Sequence, residues 1–239
     1  MLRRFGLVIA AVLVAVAPAA AQDEKPVQLN IGGGFTGVYG AASDRIGNGG
    51  NFTLGVIFNT SPTISLQGEY GWNGMEKRNI KVPVSVNPLD AGVPTDFFSD
   101  GNMQYGDFNV LFHPPASASK VQPYGLTGLG IYYRPVNVTT PAIGYATVCD
   151  PYWYVCYPAA VPVDQVVGSR SSTDFGMNFG GGVNFRLGEH TSMYLEMRYH
   201  YIWGPKIDPA QVNPLLTNSD TKSFTANGKF LPITVGFRF

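Results

Sequence analysis

Apolar and polar residues alternate with a period of two along much of the chain, most regularly in residues 229–239. There one face is apolar, from Leu231 to Phe239, while the other carries threonine, glycine and arginine. Such alternation is typical of a β-strand whose two faces meet different surroundings. Seven earlier stretches repeat the pattern. The sequence therefore predicts eight strands, near residues 27–39, 51–59, 63–73, 103–113, 121–134, 173–187, 191–203 and 229–239.

The connections between these predicted strands alternate in length. Long connections follow the third, fifth and seventh strands and a moderately long one follows the first, whereas short ones follow the second, fourth and sixth. Outer-membrane barrels combine short turns on one side with long loops on the other. The pattern therefore predicts a closed, eight-stranded antiparallel up-and-down transmembrane β-barrel with short periplasmic turns and long extracellular loops. The predicted long connections are residues 41–50, 74–102, 135–172 and 204–228.

Aromatic residues are sorted between the two ends of the predicted strands. Tyrosine and tryptophan lie toward the long connections, and phenylalanine lies toward the short turns. Membrane barrels carry aromatic girdles at both interfaces, whereas a soluble β-sandwich, which alternation alone leaves open, has no reason to sort them. The first set is Tyr39, Trp72, Tyr133, Tyr201 and Trp203, and the second is Phe58, Phe112, Phe185, Phe237 and Phe239.

The N-terminal segment 1–21 has the features of a secretory signal peptide. Arg3 and Arg4 precede an apolar run over 7–17, and an Ala-Ala-Ala cleavage site follows at 19–21. A membrane anchor is the alternative, but the apolar run is too short to span a bilayer. The sequence thus predicts an exported chain whose residues 22–239 form one barrel domain.

Composition agrees with this class of protein. The 239 residues have a formal net charge of zero, so a general nucleic-acid partner is not expected. Charged residues make up only 13%, and glycine is abundant. Short turns and small inward residues would give a membrane barrel this bias, although a glycine-rich soluble β-protein could share it.

The chain resembles the small eight-stranded outer-membrane barrel family, whose familiar members include the OmpA membrane domain and OmpX. The strand pattern and the terminal L-P-I-T-V-G-F-R-F carry the resemblance. It implies a location in the bacterial outer membrane, with membrane lipid and lipopolysaccharide as partners. It also implies that the last strand, with Phe237 and Phe239, is the signal that the barrel-assembly machinery recognises.

Inward positions of the predicted strands carry a set of ionisable residues. Eight strands leave an interior just wide enough for side chains to fill, and charges buried there must pair. A salt-bridged plug is the favoured interpretation, and a proton or ion path is the alternative. Counted up from the short turns, the cluster has members near mid-barrel, Glu69, Asp107, Glu196, Arg198 and His200, and members at the periplasmic end, Arg186 and Arg238.

Catalysis has weaker support in the sequence. Nucleophilic catalysis needs a hydroxyl beside a base that a third group holds. His190 and Ser192 lie close in sequence to Glu196, but they fall at a predicted periplasmic turn, as does His113. No serine and acid are evidently paired with His200. The sequence therefore predicts no enzymatic activity and no cofactor.

The longest predicted connection contains the two cysteines, Cys149 and Cys156. In an exported chain a disulfide is the expected state of such a pair, and two cysteines with no nearby histidine make a poor metal site. Between them lie Tyr152, Trp153 and Tyr154, which suit binding to a partner surface. The alternative is that they pack on neighbouring loops or lie among lipid headgroups.

These observations favour a non-enzymatic outer-membrane barrel with a structural role or a surface-binding, adhesin-like or receptor-like role in its extracellular loops. A small pore or transporter for ions or small solutes is the alternative, followed by a lipid-modifying enzyme. The barrel interior discriminates between the first two, because interlocked charges would block conduction.

Overall fold

A computed structural model describes residues 26–80, 96–114, 120–188, 191–207 and 224–239. The predicted signal peptide, residues 1–21, lies outside this range. No helix among the described residues is long and apolar enough to cross a membrane. The strands in the described ranges are β1 Val27–Tyr39, β2 Gly49–Asn59, β3 Ile64–Ile80, β4 Phe97–Phe112, β5 Val121–Cys149, β6 Cys156–Arg186, β7 Ser192–Ile202, β8 Lys206–Ile207, β9 Phe224–Thr225 and β10 Gly228–Arg238; a short 3₁₀ helix, Gly40–Ala42, follows β1.

Eight of the described strands form a closed antiparallel barrel in the order β1-β10-β7-β6-β5-β4-β3-β2. The ring closes where β1 pairs with β10, with Ile31 opposite Phe237. Leu29 and Phe239 exchange two backbone hydrogen bonds of 3.1 and 2.9 Å at the end of this seam. Closure leaves no open sheet edge in the membrane, where an unpaired backbone group costs several kcal/mol. The predicted fold is confirmed.

The barrel wall is apolar outside and polar inside. Along β7, Leu195 and Met197 are exposed, whereas Glu196 and Arg198 between them are buried. The same inversion runs through the other barrel strands, as their alternating apolar and polar positions predict. Exposed aromatic residues lie at both ends, including Tyr39, Trp72, Tyr133 and Trp203 at one and Phe112, Phe237 and Phe239 at the other.

The structure corrects the boundaries of four predicted connections. β2 begins at Gly49, and β3 and β4 continue to Ile80 and from Phe97, into segments predicted as connections. Residues 204–228 contain the two-stranded β8–β9 sheet. The largest error concerns residues 135–172, which are mostly strand, because β5 and β6 stay paired up to Cys149 and Cys156.

The paired continuation of β5 and β6 past the end of β4 is a two-stranded ribbon, residues 140–165, which we call the free ribbon. Its register is unbroken from Thr140, opposite Gln165, to Cys149, opposite Cys156. An ion pair between Lys77 of β3 and Asp164 of β6 lies at the base of the ribbon. The hydrogen bond that Lys77 donates to Asp164 raises the pKa of Lys77 above its ordinary value. The free ribbon is roughly 30 Å long at the usual rise of a strand.

Candidate functional site

Arg198 is the centre of the barrel interior. Its guanidinium lies 2.8 Å from Glu69 and 3.5 Å from Asp107 through Nη1, and 2.5 Å from Glu196 through Nη2. Three strands supply these groups, since Glu69 is on β3, Asp107 on β4, and Glu196 and Arg198 on β7. Each is at least nine-tenths buried, so the pairing is not screened by bulk water. One arginine thus joins both sides of the lumen.

Neutral polar groups also bind the carboxylates, although Oδ1 of Asp107 has no hydrogen-bond partner among the described residues. Glu69 accepts hydrogen bonds from the side-chain amides of Asn30 (3.0 Å) and Gln67 (2.9 Å). Asp107 accepts one from Asn178 at 2.9 Å, and Glu196 accepts one from the hydroxyl of Tyr124 at 2.8 Å. Hydrogen bonds to the remaining lone pairs help to offset the cost of burying an ion pair. These contacts extend the cluster into a network across the whole lumen.

Arg238 lies nearer the turn end and belongs to the same network. It donates to the oxygens of Asn184 (2.8 Å) and Tyr124 (2.9 Å), and it lies 3.7 Å from Glu196. The rings of Tyr124 and Tyr194 lie 4.5 and 4.7 Å from its guanidinium carbon, within the range of cation–π attraction. The predicted inward role of Arg238 therefore has a defined set of contacts.

Arg186 is the one member of the predicted cluster that the structure leaves out of it. It is the last residue of β6 and its side chain is exposed. Its position alternates correctly, but the strand has reached the rim of the barrel there, where water solvates the charge. The sequence placed Arg186 and Arg238 together at the periplasmic end, and periodicity did not indicate that only Arg238 would be buried.

His200 lies above the charged centre, toward the free ribbon. Its Nδ1 is 2.8 Å from the hydroxyl of Tyr132 and 3.7 Å from Asp107. The rings of Tyr105 and Tyr132 pack against the imidazole at centroid distances of 4.9 and 5.5 Å. The histidine is therefore enclosed by aromatic rings, with no serine in contact among the described residues.

Apolar residues close the lumen on both sides of the charged centre. Neither layer was predicted, although apolar residues at inward positions near strand ends, such as Leu111 and Phe230, were the available signal. Side chains thus fill the interior at three levels, as expected for eight strands. The layer at the ribbon end is Val38, Met103, Tyr105, Tyr132, Ile202 and Phe230, and the layer at the turn end is Ile57, Leu111, Tyr124 and Leu126.

A serine and a histidine that sequence reasoning did not pair do meet at the turn end. Ser65 Oγ lies 2.9 Å from His113 Nε2, but it donates its hydrogen to Asn59 Oδ1 at 2.7 Å. His113 Nδ1 is buried and, among the described residues, bonds no acid. A nucleophile needs a base oriented by a third group, and this pair has none. His190 of the other candidate lies outside the described residues.

The tip of the free ribbon is a closed turn bearing exposed aromatic side chains. Cys149 and Cys156 form a disulfide at its base, which confirms the predicted bond. Tyr152, Trp153 and Tyr154 are 86%, 78% and 89% exposed. The three predicted binding residues are thus held together at the point of the ribbon farthest from the barrel.

Asp150 organises this turn. Its Oδ1 accepts the backbone amides of Tyr152 (2.8 Å) and Trp153 (3.1 Å), and its carbonyl accepts that of Tyr154 (3.1 Å). Its own amide donates to the carbonyl of Val155 at 3.0 Å. Tyr154 adopts a φ of 53°, a left-handed conformation that is uncommon for a bulky residue. The turn therefore directs its polar backbone inward and its rings outward.

Over the described part of the chain, no group of three or more histidine, cysteine or acidic residues is arranged to hold a metal ion.

An apolar-walled closed barrel with a buried polar interior defines an integral membrane β-barrel protein. The sequence matches the family described as outer membrane protein beta-barrel domain over residues 7–239, so the chain belongs to that family. The predicted resemblance is confirmed, and the family places the protein in the bacterial outer membrane. Its short turns therefore face the periplasm and the free ribbon faces outward.

Solved structures of outer-membrane proteins are similar to this chain at low sequence identity. A major outer membrane protein from Thermus thermophilus has a TM-score of 0.51 at 13% identity, covering 90% of this chain and 99% of that chain. Neisserial surface protein A scores 0.47 at 12% identity, covering 90% and 96%. The outer membrane protease OmpT from Escherichia coli scores 0.41 at 10% identity, covering 94% and 99%. The comparison with curated protein sequences gave no match. At these identities the likeness concerns the fold alone.

Proposed function

We propose that this protein is a non-conducting barrel that anchors an extracellular binding element, the free ribbon, in an adhesin-like or receptor-like role. The observation that carries the proposal is the disulfide-closed tip with its three exposed aromatic rings. Exposed Tyr and Trp on a rigid turn bind with little loss of side-chain entropy. The barrel supports this role, because its interlocked lumen makes it a stable base rather than a passage.

The contacts of the histidines agree with a non-enzymatic role. Among the described residues the Ser65–His113 pair has no orienting acid, and Ser65 is itself almost fully buried. His200 is enclosed by Tyr105 and Tyr132. We further propose that residues 1–21 direct export, and that the strand ending in Phe237 and Phe239 is recognised by the assembly machinery. Lipopolysaccharide would surround the outer half of the wall.

The alternative function, a pore, makes the opposite prediction about conductance. We expect the purified protein, refolded and inserted in a planar bilayer, to show no stable single-channel current. The reason is that Arg198 and its three carboxylates cross the lumen between two apolar layers. A stable, ion-selective current from the unmodified protein would contradict the plugged barrel and would indicate an ion path lined by those charges.

Substituting the tip aromatics tests the binding role. We expect the triple variant Tyr152→Ser, Trp153→Ser, Tyr154→Asn to reduce adherence of expressing cells to a partner surface by about tenfold or more, the loss expected when aromatic anchors are removed. Asparagine is chosen at position 154 because it tolerates a positive φ. The two cysteines are kept, so the turn stays closed.

Tyr145→Ser is the matched control for this experiment. Tyr145 is as exposed as the tip residues but lies on the stem of the free ribbon, and its substitution should leave adherence unchanged. Surface levels are measured by antibody, and heat-modified mobility on gels checks that each barrel has folded. Unchanged adherence of the triple variant at normal surface level would refute the binding role of the tip.

A further inference from the structure

We propose that the tip of the free ribbon docks on the uncharged lipid surface of a second membrane, facing the one that holds the barrel. The proposal rests on the binding role given above and names its partner. Five features of the ribbon support it: the chemistry of its rings, its hydrogen-bonded amides, its charge, its prolines and its direction.

The rings have the chemistry of a membrane interface. Tyr and Trp combine an apolar body with one polar tip, and they concentrate where lipid headgroups meet hydrocarbon. Tyr152, Trp153 and Tyr154 are followed by Val155, which is 58% exposed. No ring–ring contact is found among the three in the described structure. The rings thus spread outward, which suits insertion into a yielding surface.

The backbone amides of the tip are already hydrogen-bonded before any partner arrives. The amides of Asp150, Tyr152, Trp153 and Tyr154 all have acceptors within the turn, and Pro151 has no amide hydrogen. Moving an unbonded amide out of water costs several kcal/mol, whereas a bonded one enters an apolar interface at far lower cost. A protein partner that recognised backbone donors would find none free at positions 150–154.

Charge argues against an anionic partner. The free ribbon contains no lysine or arginine, and its charged residues are Asp150 and Asp164. Lys77, at its base, is paired with Asp164. A surface with no cation and with acidic groups of its own is repelled by polyanionic glycans and by anionic lipid. The remaining compatible lipid surface is an uncharged or zwitterionic one.

The free ribbon is also protected against pairing through its edges. Pro141, Pro158 and Pro162 lie within strands whose register they do not interrupt. Proline is tolerated in a strand where its nitrogen faces an open edge, and it removes a hydrogen-bond donor there. Addition of a strand from a second copy or from another protein is therefore disfavoured. The ribbon can then contact a partner through its tip rather than through its edges.

The direction of the ribbon selects a second membrane rather than its own. β5 pairs with β6 in one antiparallel ladder, with a single irregularity beside Val138, from Val121 to Cys149. Leu129, in this ladder, is 60% exposed on the lipid-facing wall. The ribbon is thus the continuation of two membrane-spanning strands, and it carries its tip away from the bilayer that they cross.

Trp153 can report the contact directly. The chain has three tryptophans, and the other two, Trp72 and Trp203, are replaced with phenylalanine to leave one reporter. This variant is placed in nanodiscs of unlabelled lipid and mixed with phosphatidylcholine vesicles whose acyl chains carry bromine. We expect a blue shift and loss of about half of the Trp153 emission, as for an indole at the headgroup level. Vesicles rich in phosphatidylglycerol should quench it several-fold less.

Two controls give each outcome a meaning. Tyr152→Ser with Tyr154→Asn in the same background should weaken the quenching several-fold, whereas Tyr145→Ser should not. Quenching by bromine placed only in the nanodisc would show that the tip lies in its own membrane, and would overturn the proposal. No quenching by any vesicle would also overturn it.

The adherence experiment separates this proposal from the one on which it rests. If the triple tip variant loses adherence but vesicles never quench Trp153, the tip binds a protein or a glycan, and only the lipid proposal fails. If vesicles quench Trp153 but adherence does not depend on the tip, lipid docking stands and the adhesive role fails.

Discussion

Replacing Arg198 with methionine is expected to destabilise the barrel by about 3–5 kcal/mol, the usual loss when one partner of a buried ion pair is removed. Methionine keeps most of the length of the side chain but removes the charge. Glu69 and Asp107 would then remain buried without their arginine, and Glu196 would keep only Arg238, 3.7 Å away. The measurement is urea unfolding of the protein in lipid vesicles, followed by tryptophan fluorescence.

Arg186→Met is the matched control, because the same side chain is replaced at the exposed rim. It should change the free energy of unfolding by no more than about 0.5 kcal/mol. Adding Glu69→Gln and Glu196→Gln to Arg198→Met should restore part of the loss, since neutral amides need no counter-charge. An Arg198→Met barrel as stable as the parent would mean that Arg198 does not hold the plug together.

The period-two pattern was sufficient to predict the barrel and the inward face of each strand. Glu196, Arg198 and His200 alternate with apolar residues, and the structure buries all three. What the pattern does not give is the partner of each inward residue, or whether a residue at the end of a strand is buried. Arg186 and Arg238 were equivalent in sequence, and both lie opposite Ser192 of β7, yet Arg186 is exposed whereas Arg238 is buried and lies 3.7 Å from Glu196.

The free ribbon could not be predicted from periodicity for a different reason. Alternation arises when one face of a strand is apolar and the other polar, and the ribbon has apolar residues on both. Ile143 is exposed on one face, and Val163 is exposed on the other, beside Ala142. Prolines then made residues 135–172 look like a loop. The β-branched and aromatic content of the segment was the remaining signal for strand.

Glycines in the strands make room for large side chains in the lumen. The sequence alone did not separate this role from that of allowing the strands to curve. A Cβ atom built on Gly71 would overlap the ring of Tyr105, and one on Gly176 would lie 2.6 Å from the ring of Tyr132. Because these glycines have no side chain, the large lumen residues can occupy the space beside them. The glycines and the plug therefore depend on each other, and a glycine substitution tests the packing directly.

Gly130→Val is expected to destabilise the barrel by about 3 kcal/mol or more, at or above the upper end for overpacking a filled interior. A Cβ atom at Gly130 would overlap Oδ1 of Asp107 and lie 3.0 Å from the carbonyl oxygen of Gly106. Asp107 would have to move, and it would then lose its contacts with Arg198 and Asn178. Urea unfolding in vesicles measures the loss, and heat-modified mobility on gels shows whether the barrel forms.

Gly106→Val is the matched control, since Gly106 lies beside Asp107 on β4 and pairs with Ile131 on β5. A Cβ atom there would meet nothing within 4 Å. Valine would face the lipid side and favours strands, so the change should be within about 0.5 kcal/mol of neutral or slightly stabilising. Equal losses in the two variants would mean that the barrel needs glycine for its backbone. A loss at Gly130 alone would show that a filled lumen, held by Asp107 and Arg198, limits what this wall accepts.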